Sequence, residues 1–166
     1  MTSLELEPLR LTVTDAGEIL TLQRAAYVTE AQLHDDLQMP ALTQSLPELE
    51  AELADPANAA FGVREEGRLI ACLRVARVDD ETAEVRRIAV APDRQGLGLG
   101  TALLLATEAG LPAEVTTIEL FTGEHSVANQ RLYRRLGYEV TRQTPIGRYH
   151  LVRMAKRRGP SSATVN

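Results

Sequence analysis

The stretch RIAVAPDRQGLGLG, from Arg87 to Gly100, constrains this chain more than any other. An apolar strand pattern runs to a turn at Pro92, three glycines follow at alternate positions (Gly96, Gly98, Gly100), and the apolar run TALLLATEA comes next. Strand, glycine turn and helix in that order make a geometry for holding an anion. The first amides of a helix have no intrahelical partner, and the helix dipole places partial positive charge at the same end. Glycine lets a phosphate approach those amides without meeting a side chain. The dinucleotide fingerprint G-x-G-x-x-G fails, because it needs glycine or alanine where Leu103 stands, and a P-loop fails for want of a following Gly-Lys-Ser/Thr. A plain structural turn accounts for one glycine, but less readily for three behind Arg94 and Gln95.

The flanking sequence supplies the frame. LRLTVTD alternates like a strand and AGEILTLQRAAYVTEAQ has apolar residues at helical spacing, with Asp15 between them placed to cap. The segment from His34 to Pro47 is a loop or leads into a short second helix at SLPELEAELA, with Ser45 ahead of a first-turn Pro47. Residues 59–90 read as three antiparallel strands broken at EEGR and DDET. A helix from Gly98 to Ala109, the strand TTIELFT, the helix SVANQRLYRRLG and the closing strands YEVTRQT and RYHLVRMA complete the order β-α-α-β-β-β-α-β-α-β-β. The fold class is therefore mixed α/β.

Composition narrows the function classes. The chain has 166 residues, enough for one domain with a real core. A net charge of −5 speaks against a nucleic-acid partner. No stretch has the apolar length of a membrane span, and MTSLELEPLR has no signal pattern. The lone Cys72 has no disulfide partner and no metal spacing around it. These features read as a cytoplasmic, metal-free protein with one domain over residues 1–156. Residues 157–166 read as a flexible tail, and Lys156, Arg157 and Arg158 where it begins read as a solvated charge cluster rather than a binding patch.

Two motifs in order carry a resemblance. Gln95, Gly98 and Gly100 fill the pattern Gln/Arg-x-x-Gly-x-Gly/Ala, and ANQRLYRRLGYE is similar to an LY-x-x-x-G-F/Y helix and strand start. Together they resemble the GNAT family of N-acetyltransferases over roughly Leu9 to Met154, and the element order agrees. The resemblance implies the GNAT fold: a mixed, mostly antiparallel sheet flanked by helices, with strands splayed at the cofactor site. It also implies transfer of an acetyl group from acetyl-CoA to an amine by direct attack in a ternary complex, with a homodimer common in the family.

Carried onto this sequence, the backbone of Ile88, Ala89 and Val90 would bond the pantetheine amides. The amides of Gln95, Gly96, Leu97, Gly98, Leu99, Gly100 and Thr101 would hold the pyrophosphate, with charge added by Arg94. Tyr133 would protonate or hydrogen-bond the leaving thiolate, Asn129, one helical turn earlier on the same face, would touch CoA, and Ser126 would serve as a plain cap. Some relatives place a glutamate directly after an aliphatic residue of the next strand; Phe121 stands there in this sequence, with Glu119 two residues earlier on the same face. The alternative base is Glu84, for which pairing with an arginine of a neighbouring strand is the equal competing role. By strand alternation Glu84, Arg86, Ile88 and Val90 share a face and Arg87 points the other way. His34, with Asp35 and Asp36, lies where relatives shape the acceptor pocket. His125 is expected in solvent, one of Tyr149 and His150 faces the cleft, and Cys72 reads as core. Missing the glutamate leaves open a CoA-binding sensor without catalysis, and a toxin-type transferase on aminoacyl-tRNA would need a basic surface.

Overall fold

The computed structural model describes residues 6–159. One seven-stranded sheet organises them: β1 (Leu9–Leu11), β2 (Asn58–Glu65), β3 (Arg68–Arg77), β4 (Thr82–Val90), β5 (Thr117–Gly123), β6 (Glu139–Ile146) and β7 (Tyr149–Arg157), in the order β1-β2-β3-β4-β5-β7-β6. Every pairing is antiparallel except β4 with β5. The helices are α1 (Ala16–His34), α2 (Pro40–Thr43), α3 (Leu46–Ala54), α4 (Leu99–Ala109) and α5 (Val127–Arg135).

Local chemistry explains most of the boundaries. Glu66 and Gly67 both have positive φ (51° and 83°), which makes the tight β2–β3 turn whose twist matches its strands. Ser45 accepts from the Glu48 amide and donates to the Glu48 carboxylate, closing the start of α3 behind Pro47. The sheet separates two apolar layers. Ala83, Val85, Leu103, Leu104, Ile118, Leu120, Tyr133, Tyr138 and Met154 pack on one face with α4 and α5. Ile19, Leu20, Leu22, Leu49, Cys72 and Ala89 pack on the other with α1 and α3.

Several expectations change. Helix α1 runs on to His34, so the irregular segment is shorter than expected and includes the single turn α2. Asp15 makes no side-chain cap on α1; its carboxylate accepts from the Thr12 amide, closing the short turn Val13–Asp15 ahead of the helix, and pairs with Arg64. Lys156 forms an ion pair with Glu108 at 2.9 Å, and Arg158 donates to the carbonyls of Val115 and Glu108, so neither is solvated freely. The expected tail from residue 160 onward lies outside the described residues. Among those described, no helix is long and apolar enough to cross a membrane.

The expected alternation along β4 is wrong from Arg87 onward. Cys72 stands opposite Ala89 but Arg74 stands opposite Arg86, so two β4 residues, Arg87 and Ile88, face the single residue Leu73. This is a bulge, and Arg87 takes the left-handed φ of 54° that it demands. Side chains change face across it. Ile88 and Val90 join Ala83 and Val85 on the α4 side, while Glu84 and Arg86 lie on the other face with Arg74, which salt-bridges Glu52 of α3.

Candidate active site

Strands β4 and β5 part company beyond the bulge. Their parallel pairing covers Thr82–Val85 against Thr117–Leu120 and then stops, although β4 continues to Val90 and β5 stays paired to β7 as far as Gly123. A cavity of about 710 Å³ occupies the gap. Ile88, Val90, Gly98, Gly100 and Tyr133 line it from the α4–α5 side, and Tyr27, Met39, Glu52 and Glu84 from the α1–α3 side. The opening therefore runs through the sheet.

On the α4 side the backbone is bare. Gly96 and Gly98 have φ of 80° and 79°, and a Cβ on either would meet nothing within 4 Å. Among the described residues the amides of Gly96 through Thr101 donate to no acceptor; Ala102 is the first whose amide is taken, by Gly98 O at 2.9 Å. Gly100 packs closely, since a Cβ there would stand 3.4 Å from Val90 Cγ2. Six free amides at the positive end of a helix fit a pyrophosphate.

The open edge of β4 is equally specific. The Ala91 amide donates to Ile70 O, which by antiparallel alternation turns the peptide groups of Ala89 toward Cys72 in β3. Ile88 and Val90 then carry the groups that face the gap, where Gln95 Nε2 reaches Val90 O at 3.2 Å. Ala89 itself is buried in the α1 layer and does not line the cavity. Leu97 also lies off the lining, at 67% exposure, whereas Leu99, Thr101 and Asn129 are on it. Arg94 borders the cavity but is already matched by Glu65 at 2.7 Å and Asp93 at 3.2 Å.

Tyr133 projects from α5 into the same cavity with only 8% of its surface exposed. Burial raises its pKa well above the ordinary tyrosine value, assisted by Tyr27 and the Glu30 carboxylate, so the hydroxyl holds its proton. Glu84 also lines the cavity, with its Oε1 2.5 Å from Arg86 Nε. Glu119 is bound to Arg153 at 2.8 Å and does not line it. Cys72 is buried, which pushes its thiol up to about 12.

The histidine His34 is a strut rather than a pocket wall. Its Nδ1 donates to Glu30 O at 2.9 Å and its Nε2 accepts from the His125 amide at 3.1 Å, which assigns the neutral Nδ1–H tautomer. The rings of His125 and Tyr149 lie against it, with centroids at 5.2 and 4.6 Å. Ser126, expected as a plain cap, makes no side-chain cap and donates instead to Glu30 Oε1 at 2.9 Å, tying α5 to α1. Of the closing pair, Tyr149 lines the cavity and bonds Asp36 Oδ2 at 2.7 Å, while His150 pairs with Glu124 at 3.2 Å.

Tyr27, Glu30, Glu52 and Arg87 also border the cavity and were not singled out for the site from the sequence. The run AAYVTE looks like any amphipathic helix, and only the packing of α1 over the sheet brings it to the gap.

Comparison with solved structures gives the fold a context. PaiA N-acetyltransferase from Thermoplasma acidophilum, in complex with coenzyme A, superposes with a TM-score of 0.71 at 17% identity, covering 92% of this chain and 98% of that one. An acetyltransferase from Thermus thermophilus gives 0.70 at 20% identity, covering 95% and 99%. A GNAT family acetyltransferase from Elizabethkingia anophelis, with acetyl-CoA bound, gives 0.57 at 18% identity, covering 69% and 84%. A search of curated protein sequences finds no match. The family model described as Acetyltransferase (GNAT) family matches residues 22–138, which include α4, α5 and both motifs, and on that match the chain belongs to the GNAT acetyltransferase family.

Proposed function

We propose that the protein transfers an acetyl group from acetyl-CoA to a primary amine within a ternary complex. The observation that carries this reading is the splay of β4 from β5 beside the bare amides of Gly96 through Thr101, with Tyr133 across the opening. The pantetheine arm would pair with Ile88 and Val90, and the pyrophosphate would sit on the amides at the start of α4. The acceptor enters from the α1–α3 side. Its amine nitrogen bonds to the thioester carbonyl carbon as the carbon–sulfur bond breaks, and the sulfur takes a proton from the Tyr133 hydroxyl, which recovers one from solvent. Glu84, the cavity-lining carboxylate on the sheet itself, takes the proton shed by the amine. Because Arg86 pairs with Glu84, this transfer runs through a bridging water. The lone buried thiol of Cys72 suits a reducing compartment such as the cytoplasm.

Calorimetric titration with acetyl-CoA, followed by thiol-release assays against amino acids, polyamines, aminoglycosides and peptide N-termini, tests the proposal. Saturable binding with amine-dependent thiol release supports it. Absence of acetyl-CoA binding refutes it, and binding without thiol release across the panel favours a sensor.

A further inference from the structure

The half of the cavity on the α1–α3 side holds an arginine whose guanidinium has no partner. Three carboxylates line the cavity, and each has a partner: Glu52 is 2.7 Å from Arg74 Nε, Glu84 is 2.5 Å from Arg86 Nε, and Glu30 accepts from Ser126. Arg87 lines the cavity too, yet its side chain makes no hydrogen bond or ion pair among the described residues. Its Nε is shielded from solvent and has no acceptor. A buried donor left unmatched in a native fold asks for an explanation.

The surroundings point to an anion. A second, small cavity of about 170 Å³ is lined by Arg87 with Pro40, Thr43, Gln44 and Glu48, so the side chain lies under α2 on the face away from α4. Glu48 does not come within ion-pair range of Arg87; its carboxylate is held by Ser45. Burial depresses the pKa of Arg74, and the nearby charge of Arg87 adds to that against the opposing pull of Glu52, so Glu52 is taken by Arg74 while Arg87 stands close by without a carboxylate of its own. Arg87 also holds a φ of 54°, a conformation costly for a residue with a Cβ, and the bulge fixes it there. A half-buried guanidinium with a shielded Nε and no partner, opening on the cavity, matches a carboxylate or phosphate group.

We propose that Arg87 binds an anionic group of the acceptor, so that the favoured substrate carries a carboxylate or phosphate close to the amine that is acetylated. This rests on the transferase reading above, which assigns the α4 side to acetyl-CoA and leaves the Arg87 side to the acceptor. The simplest such acceptors are free amino acids, with O-phosphoethanolamine as the phosphate counterpart.

The test pairs each amino acid with the amine that lacks its carboxylate, for example leucine with isopentylamine and phenylalanine with phenethylamine, and adds O-phosphoethanolamine beside ethanolamine. A charged bidentate contact predicts kcat/KM about 10- to 100-fold higher for the anionic member. Arg87→Gln brings that ratio close to one, and Arg87→Lys, which keeps the charge without the fork, gives an intermediate ratio. Calorimetric binding of the same amino acids and of O-phosphoethanolamine to wild type and to Arg87→Gln, with CoA present, reads the contact without turnover. Binding by wild type that Arg87→Gln abolishes supports the proposal. Equal binding by both proteins, no binding of any anionic member by wild type, or equal kcat/KM within the pairs overturns it. Failure of acetyl-CoA itself to bind counts against the transferase reading, while the amino-acid titrations still decide the role of Arg87.

Discussion

Replacing Gly123 by alanine tests the packing that brings α5 to the cavity. A Cβ at Gly123 would lie 2.1 Å from His34 Nε2 and 2.3 Å from Cε1, more than 1 Å inside van der Waals contact. The ring cannot swing aside cheaply, because Glu30 O holds Nδ1, the His125 amide holds Nε2, and Tyr149 lies against its face. Moving it breaks both hydrogen bonds and leaves a buried N–H without an acceptor. Together these cost about 2–4 kcal/mol, which for a chain of this size lowers Tm by roughly 4–16 °C. Thermal unfolding of wild type, Gly123→Ala, His34→Ala and the double variant forms a cycle. With the ring removed, Gly123→Ala costs no more than about 0.5 kcal/mol. The reasoning is refuted by a wild-type-like Gly123→Ala, or by the same penalty in both backgrounds.

Tyr133→Phe removes the proton donor while keeping the ring, and kcat falls on the order of 10²-fold with the acetyl-CoA Kd unchanged; turnover equal to wild type contradicts the role. The pH profile follows from the raised pKa of the same hydroxyl. Free amines lose their proton near pH 10, so kcat/KM climbs from pH 7 to 9 while Tyr133 stays protonated. A falling limb in that range that disappears in Tyr133→Phe would contradict this. Gly98→Ala forces a Cβ into φ of 79° and costs about 1–2 kcal/mol, weakening acetyl-CoA binding through the displaced amides. The control Gly67→Ala, equally strained at φ of 83° in the β2–β3 turn, loses stability and keeps its affinity. Calorimetry and chemical denaturation on the two variants separate these outcomes.

The element order was legible because each change of periodicity is marked by turn chemistry, as at Glu66–Gly67, Ser45 and Gly110–Pro112. The glycine loop was legible for the same reason, since its bare amides are a property of local sequence. The bulge at Arg87 was not. A single extra residue in one strand leaves the apolar pattern of EVRRIAV intact while reversing every side chain beyond it, and only the register against β3 reveals the shift. Ala89 illustrates the consequence: read as one of three equal backbone partners, it sits with its groups toward Cys72. The α1 wall was hidden for another reason. Which helical face meets a cavity depends on packing over the sheet, so Tyr27 and Glu30 carried no mark, and His34 looked like loop until its two hydrogen bonds were seen.

Amide hydrogen exchange with and without acetyl-CoA reads the central claim residue by residue. Binding should slow exchange at Ile88, Val90 and Gly96 through Thr101, the groups left without partners along the β4 edge and at the start of α4. Ala89, already facing β3, should change little by comparison. Saturating acetyl-CoA that leaves those amides exchanging as in the free protein, or that protects a different surface, would contradict the account.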